Sequence, residues 1–568
     1  MAVRSMDLLK TETDVLVVGA GGAACRAALS AAQSGVRVRV LAKAPLRQGG
    51  SSVHGASELM GINAAGLGDP ADSPEVHYED TMRLARGFVD ASLVAVLAED
   101  APARVRDLIE LGVAFDMSGD GFRLLKSDFN SYGRAFTAKG RTGRAIVAAL
   151  SDAMLEAGVE VDAPVMLVDL VRDDEGRAAG VLAWDLERQQ LVHYRAKAVV
   201  LGTGGAHGIF SQQVSTAEMT GDGQAVCFRH GAELVNLEFH QFGPAMVHPY
   251  VQLFSKSIFA LRPHLTNAAG EAFLERYLPA GITEDAVMRN KVFPFTTSNE
   301  SRFLDISISR EVAAGRGTDR DAVWFSFAHC AREDLARLAP NTMRWLAERG
   351  LDMGRDRLEV GIAFQCMNGG VRMTGDDAQS TIPGLFVCGE VAGGVRGPDR
   401  PGGNSLCEGQ VFGHRAGTGA AAWAARQTAV GEPTTLAQTL DLLAAGFGRG
   451  EDTELLRIGD PVRRAMQQHC LVEKDGKALG ATLELVERAR TELDERFALT
   501  PATVGAALSL RNLLDVARLV LTACLNRDET RGAHNRVDRP ERDDARHLHS
   551  YVLRREGDAI SLRPHAYP

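Results

Sequence analysis

The sequence lacks the long apolar runs of membrane proteins, because none of its stretches reaches 18 uninterrupted apolar residues. The N-terminal stretch MAVRSMDLLKTETDVLVVG contains an arginine but no apolar segment ahead of the first predicted strand, so no secretory signal is expected. The sequence also lacks an excess of positive charge: it has 63 Lys and Arg and 73 Asp and Glu, and its net charge is −10. This balance argues against nucleic acid and against an anionic membrane surface as partners.

Cysteine is infrequent and scattered. The eight cysteines form no CxxC pair, so the sequence carries no recognisable zinc or iron–sulfur motif, and no metal site is predicted. Isolated thiols are typical of the reducing cytoplasm, which is the location we expect. The 568 residues, 45% hydrophobic and 24% charged, are enough for roughly two to four globular domains.

The N-terminal segment TDVLVVGAGGAACRAALSAAQSGVRVRVLAK has the pattern of a strand, a tight turn, a helix and a second strand. Val15–Val18 is the continuous apolar run of a buried parallel strand. Gly19, Gly21 and Ala24 fill a G-x-G-x-x-A frame, which lets backbone and the helix N-terminus approach a pyrophosphate and so predicts a dinucleotide site. An acidic residue that binds ribose is expected after the second strand, but Lys43 stands there.

Two further segments end in similar glycine-containing turns. AKAVVLGTGG (196–205) runs from an apolar strand into a turn that contains Gly204, and IPGLFVCGE (382–390) ends in Glu390. Because such strands converge on the crevice at the carboxyl edge of a doubly wound sheet, they predict a large dinucleotide lying across that sheet. Their wide separation along the chain implies that another domain is inserted between them.

Six collinear motifs span nearly the whole chain: VVGAGGAACRAAL (17–29), AVVLGTGGA (198–206), MTGDGQAVCFRHGAELVNLEFHQF (219–242), NAAGEAFLERY (267–277), IPGLFVCGEVAGGVRGPDRPGGNSL (382–406) and ETRGAHNRVDRPERDD (529–544). With these motifs the chain resembles the FAD-containing flavoprotein subunits of succinate dehydrogenase and fumarate reductase, a family that includes L-aspartate oxidase and adenylylsulfate reductase. The resemblance implies FAD as the cofactor. A lysine at the position of Lys43 is common in that family.

The resemblance also assigns roles to individual residues around the FAD. The residues expected to bind it are Gly19, Gly21 and Gly22 at the pyrophosphate, Lys43 on the adenosine side, Ser51 and Ser52 near the phosphates or the flavin, Gly204, Asp222 and Glu390 at further points, and Asn404, Ser405 and Leu406 at the isoalloxazine. Residues 47–51 read RQGGS where membrane-bound members carry the histidine of an RSHT motif. We therefore expect FAD to be bound non-covalently.

The loop RGPDRPGGNSL (396–406) bears on the substrate. Arg400 matches the arginine that grips a substrate carboxylate in the family motif NRxGxNSL, although a surface-loop arginine is the alternative. Gly243 replaces the substrate-binding histidine of the family motif QFHPT, and Gln365 replaces that of HYxMGG. Family members that act on dicarboxylates carry a segment TEG…RGEGG, and this sequence has no counterpart of it before NAAGE. We therefore expect a pocket altered from the one that binds succinate or fumarate.

Other polar residues could rebuild this pocket. Arg302 falls near the family's proton-transfer arginine, so it is predicted to be catalytic together with Arg400; the alternative is an arginine that braces the inserted domain. The residues that could form a basic, anion-binding pocket are His240, His248, Lys256, Arg262, His264 and Arg396, with Gln365 at the position of a lost histidine.

The predicted fold class is α/β, with a Rossmann-like FAD-binding domain, an inserted α+β capping domain and a C-terminal helical domain. The predicted domains are 1–235 (first part of the FAD-binding domain), 236–356 (capping domain over the substrate), 357–425 (second part of the FAD-binding domain) and 437–568 (C-terminal helices and tail). Apolar residues recur at helical spacing beyond residue 437, and a hairpin is predicted at Gly557-Asp558.

These features predict an FAD-dependent oxidoreductase that transfers a hydride between flavin N5 and a carbon next to a carboxylate or similar anion. The alternatives are a soluble amino-acid oxidase resembling L-aspartate oxidase, and a flavoprotein resembling adenylylsulfate reductase that works with an iron–sulfur partner. Because the chain has no cluster motif, electrons would pass to O2, a quinone, another flavin or an electron-transfer partner subunit.

Overall fold

The computed structural model describes residues 8–85, 87–446, 455–496 and 499–567. Residues 1–7, on which part of the signal-peptide prediction rests, lie outside the described residues. None of the described helices combines the length and the apolar character needed to cross a bilayer.

The described strands are given in chain order. They are β1 Leu9–Val18, β2 Val38–Leu41, β3 Gly61–Asn63, β4 Met117–Ser118, β5 Gly121–Phe122, β6 Leu124–Leu125, β7 Ala135–Thr137, β8 Glu160–Asp162, β9 Val165–Arg172, β10 Ala178–Asp185, β11 Gln190–Leu201, β12 Leu234–Val235, β13 His240–His248, β14 Gln252–Leu253, β15 His264–Thr266, β16 Val323–Ser326, β17 Leu358–Met367, β18 Gly370–Arg372, β19 Leu385–Val387, β20 Ala392–Gly393, β21 Ser550–Glu556 and β22 Ala559–His565.

The described α-helices follow in the same order. They are α1 Gly22–Gln33, α2 Ser51–His54, α3 Pro74–Ala85, α4 Ala91–Glu110, α5 Thr142–Glu156, α6 Asp222–Arg229, α7 Lys256–Ala260, α8 Glu284–Arg289, α9 Arg302–Ala313, α10 Arg332–Leu338, α11 Pro340–Ala347, α12 Asn404–Ala425, α13 Leu436–Gly446, α14 Leu455–Met466, α15 Gly476–Arg496, α16 Val504–Asn526 and α17 Asp544–His547.

The largest sheet has the strand order β8-β2-β1-β11-β10-β9, and β19 pairs with the end of β11. The pairs β1–β2, β1–β11 and β11–β19 are parallel, as the three glycine-ended segments of the sequence predict. The apolar run Val15–Val18 is fully or almost fully buried, because helices such as α1 and α12 pack against the centre of this sheet. The glycine-rich turns after β1, β11 and β19 therefore meet at one edge of the sheet.

A second sheet, with the order β14-β13-β17-β16-β15, carries the segment predicted as a capping domain. Its longest pairing joins β13 and β17 in antiparallel register, with Gly243 opposite Ala363. The predicted domain boundary at 356/357 assigned β17 to the FAD-binding part, whereas the structure places this strand inside the second sheet. The reason is that β17 is apolar and almost wholly buried between its two neighbouring strands.

The C-terminal region combines helices with a hairpin. Helix α16 packs on α15 and also on α6, next to the large sheet. Strands β21 and β22 form an antiparallel hairpin whose turn contains Gly557 at a φ of +60°, as predicted, and β21 pairs with β12 of the central region. This region is therefore not purely helical, and it contacts the elements that surround the predicted cofactor site.

Candidate functional site

A large cavity lies at the edge of the main sheet where the glycine-rich turns meet. It encloses about 2040 Å³ of space, part of it open to solvent. Its walls come from the turn after β1, the segment from Lys43 to Ser52, the turn after β11, the turn after β19 and the start of α12. The same cavity extends toward the second sheet, so one continuous space joins both predicted sites.

The turn between β1 and α1 lines one end of the cavity. Gly19 has a φ of +117°, and a Cβ atom there would lie 2.2 Å from the carbonyl oxygen of Gly202. Gly21 and Gly22 also line the cavity. A Cβ atom at Gly21 would lie 3.9 Å from Ser52 Oγ, and one at Gly22 would lie 3.5 Å from both Gln410 Nε2 and Ser52 Oγ. Because the first N–H groups of α1 have no partner within the helix, this turn can hold a phosphate group.

Lys43 and Asp222 form one buried polar cluster at the cavity wall. Lys43 Nζ donates to Asp222 Oδ2 at 2.9 Å, to Thr220 Oγ1 at 2.6 Å and to Ser509 Oγ at 2.8 Å. Asn512 Nδ2 donates to Asp222 Oδ1 at 2.8 Å. Ser509 and Asn512 lie on α16 and were not predicted; polar residues within the apolar pattern of that helix were the signal.

Ser51, Gly204 and Glu390 line the cavity between its two ends. Ser51 Oγ donates to Ser215 Oγ at 2.9 Å, and Glu390 Oε1 accepts from the backbone N–H of Met367 at 3.0 Å. The structure therefore brings these three predicted residues together with the glycines of the first turn.

Helix α12 begins at the cavity with Asn404, Ser405 and Leu406. Ser405 and Leu406 line the cavity, and Ser405 Oγ has no hydrogen-bond partner in the described structure. Asn404 does not line it: the Asn404 side chain donates to Thr81 Oγ1 at 3.1 Å and accepts from His77 Nε2 at 2.8 Å. These hydrogen bonds join the start of α12 to α3, so Asn404 holds α12 in place and does not form part of the cavity wall.

Arg400 lies in the wall of the cavity and is 4% exposed. Its Nε and Nη2 donate to Gln241 Oε1 at 2.8 and 2.5 Å, and its Nη1 donates to the carbonyl of Pro401 at 2.9 Å. The thiol of Cys366 donates to the same Gln241 oxygen at 3.1 Å. Burial lowers the pKa of Arg400 and raises that of Cys366. Gln241 and Cys366 were not predicted as site residues.

Arg396 also lines the cavity, but its charge is compensated. Its Nε lies 2.8 Å from Glu408 Oε2, and both side chains are buried. Its Nη1 donates to the carbonyl of Met367 at 2.9 Å and its Nη2 to that of Ala392 at 3.0 Å. Gln365 lines the cavity as well, and its Oε1 has no partner within the described part of the chain.

Like Asn404, other predicted site residues do not line the cavity; they are Arg302, Arg262, His264, His240, His248 and Lys256. Arg302 donates to the carbonyl of Thr297 and stacks on the Phe303 ring at 5.0 Å. Arg262 is exposed and pairs with Asp285, and His264 is exposed and stacks on His329 at 4.0 Å. His240 is buried against the rings of Phe210 and Phe364, and burial lowers its pKa to about 3. These four residues lie between cavity-lining segments in the sequence, but in the structure their side chains contact other parts of the protein and not the cavity.

The end of the cavity near the second sheet is largely apolar. Val214, Leu253, Phe293 and Pro294 line it. A Cβ atom on Gly243 would lie 2.3 Å from the ring of Phe293, so this ring occupies the space beside β13 where a side chain at position 243 would stand. The histidine that Gly243 replaces therefore has no room here.

The residues present fit FAD. The glycine turn leaves a cradle that a Cβ atom at Gly19 would disrupt. Ser405 and Gln365, whose Oγ and Oε1 atoms have no hydrogen-bond partner among the described residues, line the same cavity as this turn. His54, the nearest histidine to RQGGS, does not line the cavity, and its Nε2 lies 2.8 Å from the carbonyl of Gln48.

Comparisons with known proteins agree with this geometry. The family described as FAD binding domain matches residues 14–406, and the family described as Fumarate reductase flavoprotein C-term matches residues 460–566. One of the subunits of the fumarate reductase (CoM/CoB) of Methanothermobacter marburgensis is 32% identical over 546 residues, which cover 93% of this chain and 95% of that protein. An L-aspartate oxidase of Caulobacter vibrioides is 33% identical over 538 residues, covering 93% of this chain and 94% of the oxidase.

A solved structure shows the same similarity. It is Mycobacterium smegmatis Sdh1 in complex with UQ1, with a TM-score of 0.85 and 28% identity, and the match covers 99% of this chain and 95% of that one. The chain therefore belongs to the family of FAD-dependent oxidoreductases that includes the flavoprotein subunits of fumarate reductase and succinate dehydrogenase and L-aspartate oxidase.

Proposed function

We propose that this protein transfers a hydride between its FAD and a carbon atom next to an anionic group of a small substrate, and that Arg400 binds that anion. The supporting observation is the charge balance of the cavity. Among the described residues that line it, Lys43 pairs with Asp222, Arg47 with Asp152 and Arg396 with Glu408, whereas no carboxylate lies within 4.0 Å of Arg400. A buried, uncompensated guanidinium is unfavourable unless an anionic ligand pairs with it.

The chemistry divides between the cofactor and the chain. FAD, when bound, supplies a carrier that accepts or donates a hydride, which is two electrons and one proton. Arg400 orients the anionic group and stabilises negative charge that develops beside it. A double bond that is reduced gains the hydride and one further proton, and the reverse reaction loses both. The role of Arg302 as the carrier of that proton stays a prediction, since its contacts lie outside the cavity.

The test uses the purified holoprotein without oxygen. Its flavin is reduced with light, fumarate or crotonate is added, and the return of the oxidised absorbance is recorded. We expect Arg400→Gln to slow this return at least 100-fold for the acid that wild-type protein reduces, with unchanged FAD content. Arg415→Gln, which breaks a partly exposed pair with Asp100, is the matched control and should react like wild type. Equal rates for Arg400→Gln and wild type would show that the proposal is wrong.

We further propose that FAD is bound non-covalently and that its electrons are exchanged with a separate partner protein. The relative from Methanothermobacter marburgensis is named as one subunit of its enzyme, and the described residues contain no cluster of metal-binding side chains that could carry electrons onward. Slow reoxidation of the reduced flavin by air supports a partner. Release of FAD from the protein by acid precipitation would support non-covalent binding.

The location that we propose for the protein is the cytoplasm. Its eight cysteines form no disulfide, which supports a reducing compartment.

An amino-acid oxidase is the second candidate, because an L-aspartate oxidase is among the similar proteins at 33% identity. This candidate requires that L-aspartate bleaches the oxidised flavin without oxygen and that air restores the colour rapidly. Failure of L-aspartate to reduce the flavin excludes it. The alternative that resembles adenylylsulfate reductase stays an untested prediction.

A further inference from the structure

The wall of the cavity near the second sheet is mainly apolar, although Ser255 and Gln365 also line this region. Phe293, Leu253 and Val214 line it, and behind them they form one apolar cluster with Ala245 and Ala363 of strands β13 and β17. The ring of Phe293 is fixed beside Gly243. A charged group of a ligand placed against the side chains of Phe293, Leu253 and Val214 would lose its water without gaining a polar partner from them.

The single charged side chain of this wall within the described residues is an acid, Asp128. Its side chain is 8% exposed, and its Oδ2 accepts the backbone N–H of Phe293 at 3.1 Å. Lys256 Nζ lies 3.9 Å from Oδ1, but its own side chain is 59% exposed and does not line the cavity. Burial raises the pKa of Asp128, while the charges of Lys256 and Lys291 lower it. Among the described residues, this wall therefore presents carboxyl oxygens but no cation to a ligand.

The loop of Asp128 is tied to the loop of Arg400. Ser127 Oγ donates to the carbonyl of Gly402 at 2.8 Å, and Asn130 Nδ2 donates to the same oxygen at 3.2 Å. The backbone N–H of Gly402 in turn donates to the carbonyl of Asp128 at 3.4 Å. These bonds hold the acidic, apolar wall next to Arg400, the cavity-lining cation that, among the described residues, has no carboxylate partner.

We infer that the substrate carries one anionic group, bound by Arg400, and an apolar substituent that packs against Phe293, and this inference rests on the proposed function. The class is an α,β-unsaturated monocarboxylate or its saturated counterpart. Phe293 and Asp128 determine this specificity, because a second carboxylate would meet an apolar ring and a carboxylate rather than a cation.

The test compares acids of equal carbon number. Butyrate and succinate are titrated into the oxidised holoprotein, and binding is followed by the flavin absorbance and by calorimetry. We expect butyrate to bind at least tenfold more tightly than succinate. Asp128→Asn should reduce the ratio of the butyrate affinity to the succinate affinity at least fivefold. Phe293→Ala should reduce the affinity for butyrate at least fivefold with unchanged FAD content. Asp120→Asn, at an exposed turn nearby, is the control and should keep the wild-type ratio.

The outcomes separate this inference from the proposed function. If succinate binds as tightly as butyrate and Arg400→Gln abolishes the binding of both, the monocarboxylate class is wrong while the role of Arg400 stands. If Arg400→Gln still binds both acids, or if wild-type protein binds neither by either method, the proposed function is wrong and the inference fails with it.

Discussion

Arg396 and Arg400 lie in one loop, both are buried and both line the cavity, yet their surroundings differ. Glu408, one helical turn into α12, neutralises Arg396, and backbone carbonyls take up its remaining donors. Arg400 donates to the neutral amide oxygen of Gln241 and to the carbonyl of Pro401, and it interacts with the Cys366 thiol. No carboxylate of the described residues forms an ion pair with it within 4.0 Å. The substrate role predicted for Arg396 therefore becomes a structural one in our interpretation, and the anion-binding role falls to Arg400 alone.

Gly19→Ala tests the first turn at the level of one residue. The backbone there has a φ of +117°, and the added Cβ would lie 2.2 Å from the Gly202 carbonyl oxygen, so the turn after β1 or that after β11 has to move. We expect FAD occupancy after gel filtration to fall at least tenfold. Gly35→Ala is the matched control: its φ is +83°, but no atom lies within 4 Å of the new Cβ, so FAD should be retained. Equal losses in both variants would attribute the effect to backbone strain alone.

At the scale of elements, the sequence was sufficient wherever a local pattern determines the structure. Strand β1, helix α1, the strands before the two later glycine turns and the C-terminal hairpin all follow from apolar runs, glycine frames and helical periodicity. The meeting of the glycine-containing turns was predictable for the same reason, since turns at the carboxyl ends of parallel strands share one edge of the sheet. That the residues of these turns contact FAD stays a prediction from the family resemblance.

The other features of the fold and of the site depend on contacts between residues far apart in the sequence, and a local sequence pattern does not predict such contacts. The sequence does not show that β17 joins β13, that Phe293 reaches Gly243 from a distant loop, or that α16 supplies Ser509 to the cluster around Lys43. For the same reason, a loose motif match was not enough to place Arg302 at the cavity.

Asn512→Ala tests the contribution of α16 to the cofactor site. The substitution removes the donor to Asp222 Oδ1 and the acceptor of Arg229 Nη1, so the buried Asp222 carboxylate and the partly buried Arg229 guanidinium each lose one hydrogen bond. Such a loss costs about 1–3 kcal/mol, so FAD should bind roughly tenfold more weakly in a fluorescence titration of the apoprotein. Thr522→Ala on the same helix is the control, because the hydroxyl bonds only to the carbonyl of Arg518. Unchanged affinity in Asn512→Ala would show that α16 does not stabilise the site.

At the scale of the whole molecule, buried histidines are distributed over several elements. Burial lowers the pKa of His77 on α3, His193 on β11 and His414 on α12 to about 4 each, and that of His240 on β13 to about 3. These rings are neutral in the folded protein, whereas in the unfolded chain they bind a proton below a pH of about 6.5. Their stabilising effect is therefore complete above that pH and is lost as the pH falls toward the folded values.

We predict that the thermal midpoint of the holoprotein falls steeply between pH 6.5 and pH 5. His77, His193 and His240 should each lose about 2 kcal/mol at pH 5, from about 1.5 pKa units at 1.36 kcal/mol each, and the half-buried His414 should lose less because solvent screens its charge. The carboxylates of Glu311 and Asp538, whose hydrogen-bonded arginine partners lower their pKa to about 2, lose their contribution only below about pH 4.5. Burial raises the pKa of Asp399 to about 7, so this group opposes the histidines in the window by gaining stability as the pH falls. Thermal scans at saturating FAD should therefore show a smaller fall for His240→Leu than for wild type, and an unchanged fall for the control Asp538→Asn. An equally steep fall in His240→Leu would mean that other groups govern the acid sensitivity.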